Sequence, residues 1–149
     1  MKFVAGGPRQ AGAAPWRVLA GPEMTGGGVG FGDARMPPHT AGLGLHVHSR
    51  EDEAQYVVAG TMTFRIGDDL FEAGPETLVW LPRGIPHTFA NRGSGPAWVV
   101  GITSPAGIEA MFEEQAAYFA GLSGPPDKHY LSSLGARFGV TSVGPPLEV

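Results

Sequence analysis

The sequence predicts an all-β domain, a closed antiparallel barrel or a double-sheet jelly roll, followed by two short α-helices. Three observations predict it. About eight or nine short runs with strand character follow one another at close, regular spacing. The 24 glycines and 14 prolines are spread along the whole chain of 149 residues, which places turns between short elements rather than in one tail. At Ser104-Pro105 the pattern changes from strand-like runs to helical spacing. A chain of this length is expected to form one domain with a real core over residues 1–149, its barrel spanning about 16–103 and its helical extension about 105–139.

In chain order, residues 2–5 and 16–20 read as short strands separated by a Gly/Pro loop. Residues 24–30 are glycine-rich and have no clear element, and residues 30–36 form a strand that ends at Pro37-Pro38. Residues 39–44 are a loop leading to a strand that carries His46 and His48. Residues 55–59 are an apolar run. Residues 61–66 alternate, with Met62, Phe64 and Ile66 on one face and Thr61, Thr63 and Arg65 on the other. Gly67-Asp68-Asp69 is a turn signal, so 61–66 and 69–73 form a hairpin. Strands over 77–81, 87–91 and 97–103 complete the series.

Ser104 then suits a helix N-cap and Pro105 the first helical position. Ile108, Met111, Phe112, Gln115, Phe119 and Leu122 recur at helical spacing as one apolar stripe. Asp127 suits the cap of a second helix, with Tyr130, Leu131, Leu134 and Phe138 as its stripe and Gly139 as its stop. Such short helices are expected to pack on the barrel, where the first stripe caps it, closes a pocket mouth or meets a partner subunit.

Composition narrows the function. The net charge of −4 lacks the basic footprint of a nucleic-acid binder. With no cysteine, any metal must be held by nitrogen and oxygen ligands. No signal-type or membrane-spanning apolar stretch is present, so a cytoplasmic location is expected.

Chemistry concentrates in two stretches. In His46-Val-His48 the imidazoles share one side of a strand, because residues i and i+2 of an extended chain point the same way. Glu53 follows just past a bend and opens the next run. Two imidazoles and a carboxylate converging on one point suit a divalent metal. Downstream, Pro82-Arg-Gly84-Ile-Pro86-His87 is a tight turn that returns the chain and sets His87 opposite the first cluster. His46, His48, Glu53 and His87 then form a four-ligand set with positions left for water or substrate. Of the acidic run 51–53, Glu51 and Asp52 read as solvated turn residues.

These stretches resemble the paired motifs of the cupin superfamily. His46, His48, Glu53 and Gly60 match the first motif, and Pro82, Gly84, His87 and Asn91 the second, with a short stretch 61–75 between them. Two turn positions depart from the pattern. Thr40 stands where a glycine is usual, with Gly42 two residues on, and Glu76-Thr77 replaces a common Gly-Asp pair. The resemblance implies a jelly-roll barrel holding a divalent transition metal (Fe, Mn, Ni, Co, Cu or Zn) by three histidines and one glutamate, and a homodimer. It is also similar to single-domain bacterial cupins of quercetin-dioxygenase-like type. That likeness implies a metal-dependent dioxygenase acting on an enol or dihydroxy-aromatic, flavonol-like small molecule, with Glu53 as general base. The alternatives are a non-oxidative isomerase, cyclase or lyase, and a non-catalytic small-molecule or metal-binding protein.

Other residues are secondary candidates. Gln55 shares strand parity with Glu53 and is a candidate to contact the site or its substrate from inside the barrel, or else a satisfied core amide. Phe89, two residues after His87, falls on the cavity side. Trp80, Trp98, Met62 and Phe64 read as core or pocket wall. His39 and His129 read as loop or surface histidines, and Arg35 and Arg65 as surface arginines or anion ligands.

Overall fold

The computed structural model describes Val4, residues 6–9 and residues 16–149. The strand expected over 2–5 lies outside the described residues, Val4 excepted, and Val4 is in no strand. The elements in order are β1 (Trp16–Ala20), α1 (Pro22–Thr25), β2 (Gly30–Met36), β3 (Thr40–Ala41), β4 (His46–His48), β5 (Asp52–Ala59) and β6 (Met62–Ile66). They continue with β7 (Asp69–Ala73), β8 (Thr77–Leu81), β9 (His87–Asn91), β10 (Ala97–Ser104), α2 (Glu109–Ala120), α3 (Lys128–Arg137) and β11 (Val140–Ser142).

The strands form two antiparallel sheets. One runs β1-β2-β10-β5-β8 and the other β11-β4-β9-β6-β7, with β3 paired to β9. The expected hairpin closes as Ile66 pairs with Asp69 across Gly67-Asp68, and Gly67 takes the positive φ of 57° that such a tight loop needs. One half of the interior between the sheets is apolar. Met36, Val57, Met62, Phe64, Leu81 and Val99 are buried there together. The other half is polar and holds the histidine cluster.

Parity decides which aromatics reach the inside. Trp80 pairs with Ala54, and its ring faces outward, 55% exposed. Trp98 is on the same outer face, with the Arg35 guanidinium 3.7 Å above its ring. Neither tryptophan is core or pocket wall, in contrast to the sequence expectation, because their neighbours Val79, Leu81, Ala97 and Val99 hold the inward positions. Trp16 instead lies inside. A Cβ on Gly32 would stand 2.2 Å from its ring and one on Gly101 2.6 Å, so the two glycines leave the space that the indole fills.

Three further differences have local causes. The glycine-rich stretch begins with the short helix α1, closed by Gly26 at φ 67°. Thr40 and Ala41 pair with Asn91 and Ala90 within the expected loop. The first long helix starts at Glu109, not at Ser104. Ser104 is instead the last residue of β10, and its hydroxyl donates to the Gly28 carbonyl. Asp127 caps α3 as expected, its carboxylate accepting from the amides of His129 and Tyr130. The helices pack through Ile108, Met111 and Leu134. The stripe of α2 is buried only at its start, and Phe119 is exposed.

Candidate metal centre

Four short segments assemble the site. β4 presents His46 and His48, β5 presents Glu53 and Gln55, and β9 presents His87. His46 pairs directly with His87 across β4 and β9, which brings the two motifs together. Gly84, at φ 76°, donates its amide to the His48 carbonyl at 2.8 Å, tying the Pro82–His87 turn to β4. The two departures from the motif pattern fit this frame. Gly42 donates to the Phe89 carbonyl, and a Cβ there would lie 2.7 Å from that oxygen, so the glycine stands where the loop meets β9. Glu76 takes the positive φ of 64° that a glycine would adopt more easily.

The four side chains are buried, and one ligand atom from each lies within 4.8 Å of all the others. The imidazole centroids stand 4.6–5.1 Å apart. His46 Nδ1 donates to the Gly44 carbonyl at 2.7 Å and His87 Nδ1 to the Ile85 carbonyl at 3.0 Å. Both rings therefore keep a bare Nε2. His87 Nε2 has no hydrogen-bond partner and faces Glu53 Oε2 at 3.7 Å, as does His48 Nε2. Buried acceptors pointed at one another without donors are costly unless something positive sits between them. Three imidazoles and one carboxylate suit a divalent transition ion, so the donor set fits a metal.

Electrostatics agree with that fit. Burial pushes the His46 pKa down to about 4, reinforced by the neighbouring His87 and His48, so the ring is neutral at neutral pH, the form that can bind a metal. Burial raises the Glu53 pKa, but it is outweighed by the lowering contacts of the carboxylate, among them the hydrogen bond from the Gln55 amide, so the carboxyl stays below its ordinary value. Gln55 Nε2 donates to Glu53 Oε1 at 2.9 Å, while Gln55 Oε1 is buried without a partner.

Glu51 corrects the sequence expectation. It is 5% exposed, not solvated, and its Oε2 faces His48 Nδ1 at 3.6 Å. The bend after His48 folds it back under the ring. The spacing His48-x-x-Glu51 was the available signal, masked by its acidic neighbours. Asp52 does lie toward solvent, paired with Arg83 at 2.8 Å. A second residue missed from sequence is Glu109, also buried. Its carboxylate accepts from the Thr103 hydroxyl and, at 2.6 Å, from the Gly107 amide. Thr103 stands opposite Glu53 across β10 and β5.

Phe89 shares the inward side of β9 with His87, and its ring is 6.2 Å from that of Phe64. His39 and His129 are exposed and away from the cluster. Arg65 Nε donates to the Gly67 carbonyl at the surface.

The sequence profile described as "Cupin domain" matches residues 32–103, the segment that supplies all four clustered side chains. The tetracenomycin polyketide synthase protein TcmJ of Streptomyces glaucescens is 30% identical over 106 residues, which are 70% of this chain and 69% of TcmJ. The chain belongs to the cupin family. Two solved structures share the cupin fold. A predicted oxalate decarboxylase of Thermotoga maritima has a TM-score of 0.57 and 20% identity, over 60% of this chain and 78% of its own. A sugar phosphate isomerase from the cupin superfamily of Silicibacter pomeroyi has a TM-score of 0.52 and 22% identity, over 60% of this chain and 59% of its own. This cupin has, among its described residues, no helix long and apolar enough to cross a membrane.

Proposed function

We propose that this cupin is a metal-dependent dioxygenase acting on an enol-bearing or dihydroxy-aromatic small molecule. The observation that supports the reading is the buried cluster of three imidazoles and one carboxylate, one ligand atom of each within 4.8 Å of the others and His87 Nε2 without a partner. A divalent transition metal held by His46, His48, Glu53 and His87 would supply Lewis-acid polarisation of substrate oxygens and the redox capacity that dioxygen chemistry needs. The chain's own groups do the rest. Glu53 Oε2 is the acceptor for the proton of a substrate hydroxyl. Gln55 holds the other carboxylate oxygen, so the base keeps its orientation. His46 and His87 are fixed by the Gly44 and Ile85 carbonyls, and Glu51 lies behind His48. Burial of the cluster limits access of bulk water to the reacting oxygens.

The second reading is a non-oxidative isomerase, cyclase or lyase that uses the same base. It is favoured by the relative named as a polyketide synthase protein, since polyketide chains carry enolisable carbonyls. The expected homodimer is part of the proposal. Exposed Tyr56, Leu78 and Trp80 on the outer face of β5 and the edge strand β8 support it.

One experiment separates the readings. Protein purified without a metal-affinity tag is loaded in turn with Fe(II), Mn(II), Co(II), Ni(II), Cu(II) and Zn(II). It is then given flavonols, 1,3-diketones and dihydroxynaphthalenes with and without oxygen. Oxygen uptake that is lost in Glu53→Ala supports the dioxygenase. Turnover that persists without oxygen selects the second reading. No turnover with any metal overturns both.

A further inference from the structure

We propose that the C-terminal helices and β11 build the substrate-selecting half of the site, an apolar cleft that takes the ring body of a planar, multi-ring phenol or enol. This rests on the small-molecule reading above and names the class of molecule. The cleft has a volume of about 680 Å³, within the range of small-molecule sites. Its barrel wall is Leu43 and His46, and its opposite wall is Met111, Leu131 and Leu134. His46 is the one member of the histidine cluster in the wall, so a molecule in the cleft lies against it at one end. Polar side chains are few on the helical side: Gln115, Lys128 and Ser132.

The cleft is pre-shaped by close backbone contacts. A Cβ on Gly135 would lie 2.9 Å from the Val140 carbonyl, and one on Gly44 2.8 Å from the Gly144 carbonyl. Leu45 donates to the Pro145 carbonyl at 3.1 Å, and Val143 donates back to the Leu45 carbonyl at 2.8 Å. The helices are joined by the stacked rings of Tyr118 and Tyr130, 4.4 Å apart, and by Tyr130 donating to Glu114. Apart from Leu43, Gly44 and His46, the cleft is built from residues 111–146, outside the matched family segment 32–103. It therefore lies outside the segment that carries the family motifs. A largely apolar wall with a single cation does not solvate a sugar phosphate or a dicarboxylate, whose polar groups would lose water without replacement. It suits fused rings, with an oxygenated edge toward His46 and a phenolate or carboxylate toward Lys128.

The test is direct binding of 1,2-dihydroxyanthraquinone to the full chain, metal-free and zinc-loaded, followed by the visible absorbance of the probe, with glucose 6-phosphate as competitor. Saturable binding unaffected by the sugar phosphate is expected. Leu131→Arg should weaken it by at least about tenfold, because a charge then enters the apolar wall, with zinc affinity unchanged. In the unmodified protein, methionine-methyl NMR should show the probe shifting Met111 and leaving core Met62 in place. Binding that Leu131→Arg does not weaken, or a probe that does not move Met111, overturns the cleft. Oxygen uptake without cleft binding would sink this inference alone, and cleft binding without turnover would sink only the proposed chemistry.

Discussion

Gln55 and Glu53 are locked together on the inner face of one strand, amide Nε2 to carboxylate Oε1 at 2.9 Å. The bond also orients the amide, because the reverse orientation would set two acceptor oxygens against each other. Gln55→Leu removes the donor and frees the carboxylate to rotate. Metal affinity, measured by competition with a chromogenic chelator, should fall roughly 10–100-fold while the protein stays folded. An unchanged affinity would show that Glu53 is held by its backbone alone.

Glu51 is expected to act on the same site through His48. Its carboxylate is 3.6 Å from Nδ1, close enough to bias which ring nitrogen carries the proton. Glu51→Ala should lower metal affinity by about tenfold or more, and Glu51→Gln, which keeps an acceptor oxygen, should restore part of it. If both variants bind metal like the parent protein, the buried carboxylate has no influence on the centre.

The metal-free protein should lose stability in acid. His46 has an ordinary pKa of 6.5 and a folded one near 4, so between those values the unfolded chain binds the extra proton. Its contribution is fully present above about pH 6.5 and lost as pH falls through about 4, a change of the order of 3 kcal/mol. Glu53, also held below its ordinary value, adds to the loss at lower pH with the same sign. Thermal unfolding of metal-free protein from pH 7 to 4 should show a falling Tm, with a shallower slope in His46→Gln. A flat profile in the parent protein would contradict the burial of a neutral ring.

Asn91 belongs to the second motif but serves the frame rather than the chemistry. Its buried amide donates to the carbonyls of Met36, Pro37 and Gly95, and its oxygen accepts from the Gly93 amide. Asn91→Ala orphans these groups and should cost about 2–4 kcal/mol in denaturant unfolding. A variant as stable as the parent would mean that water replaces the amide at every partner.

Much of the protein was legible in the sequence because the relevant constraints are local. Strand period, the Gly67 turn, the Asp127 cap and the i, i+2 relation of His46 and His48 depend only on neighbours along the chain, and each has its counterpart in the structure. The family pattern carried His87 to the same point. What depended on distant packing was not legible. Glu51 differs from solvated Asp52 only because the bend folds it under His48. Trp80 and Trp98 face outward because neighbours of opposite parity hold the core, whereas Trp16 enters it over Gly32 and Gly101, which come from two other strands. The cleft beside His46 exists only where α2, α3, β11 and the barrel meet, and no local pattern in any one of them specifies that enclosure. The sequence by itself determined most of the strands, the two C-terminal helices and the four residues of the cluster. The tertiary structure decided which polar groups are buried and what surrounds them, because burial is a property of contacts between segments far apart in the chain.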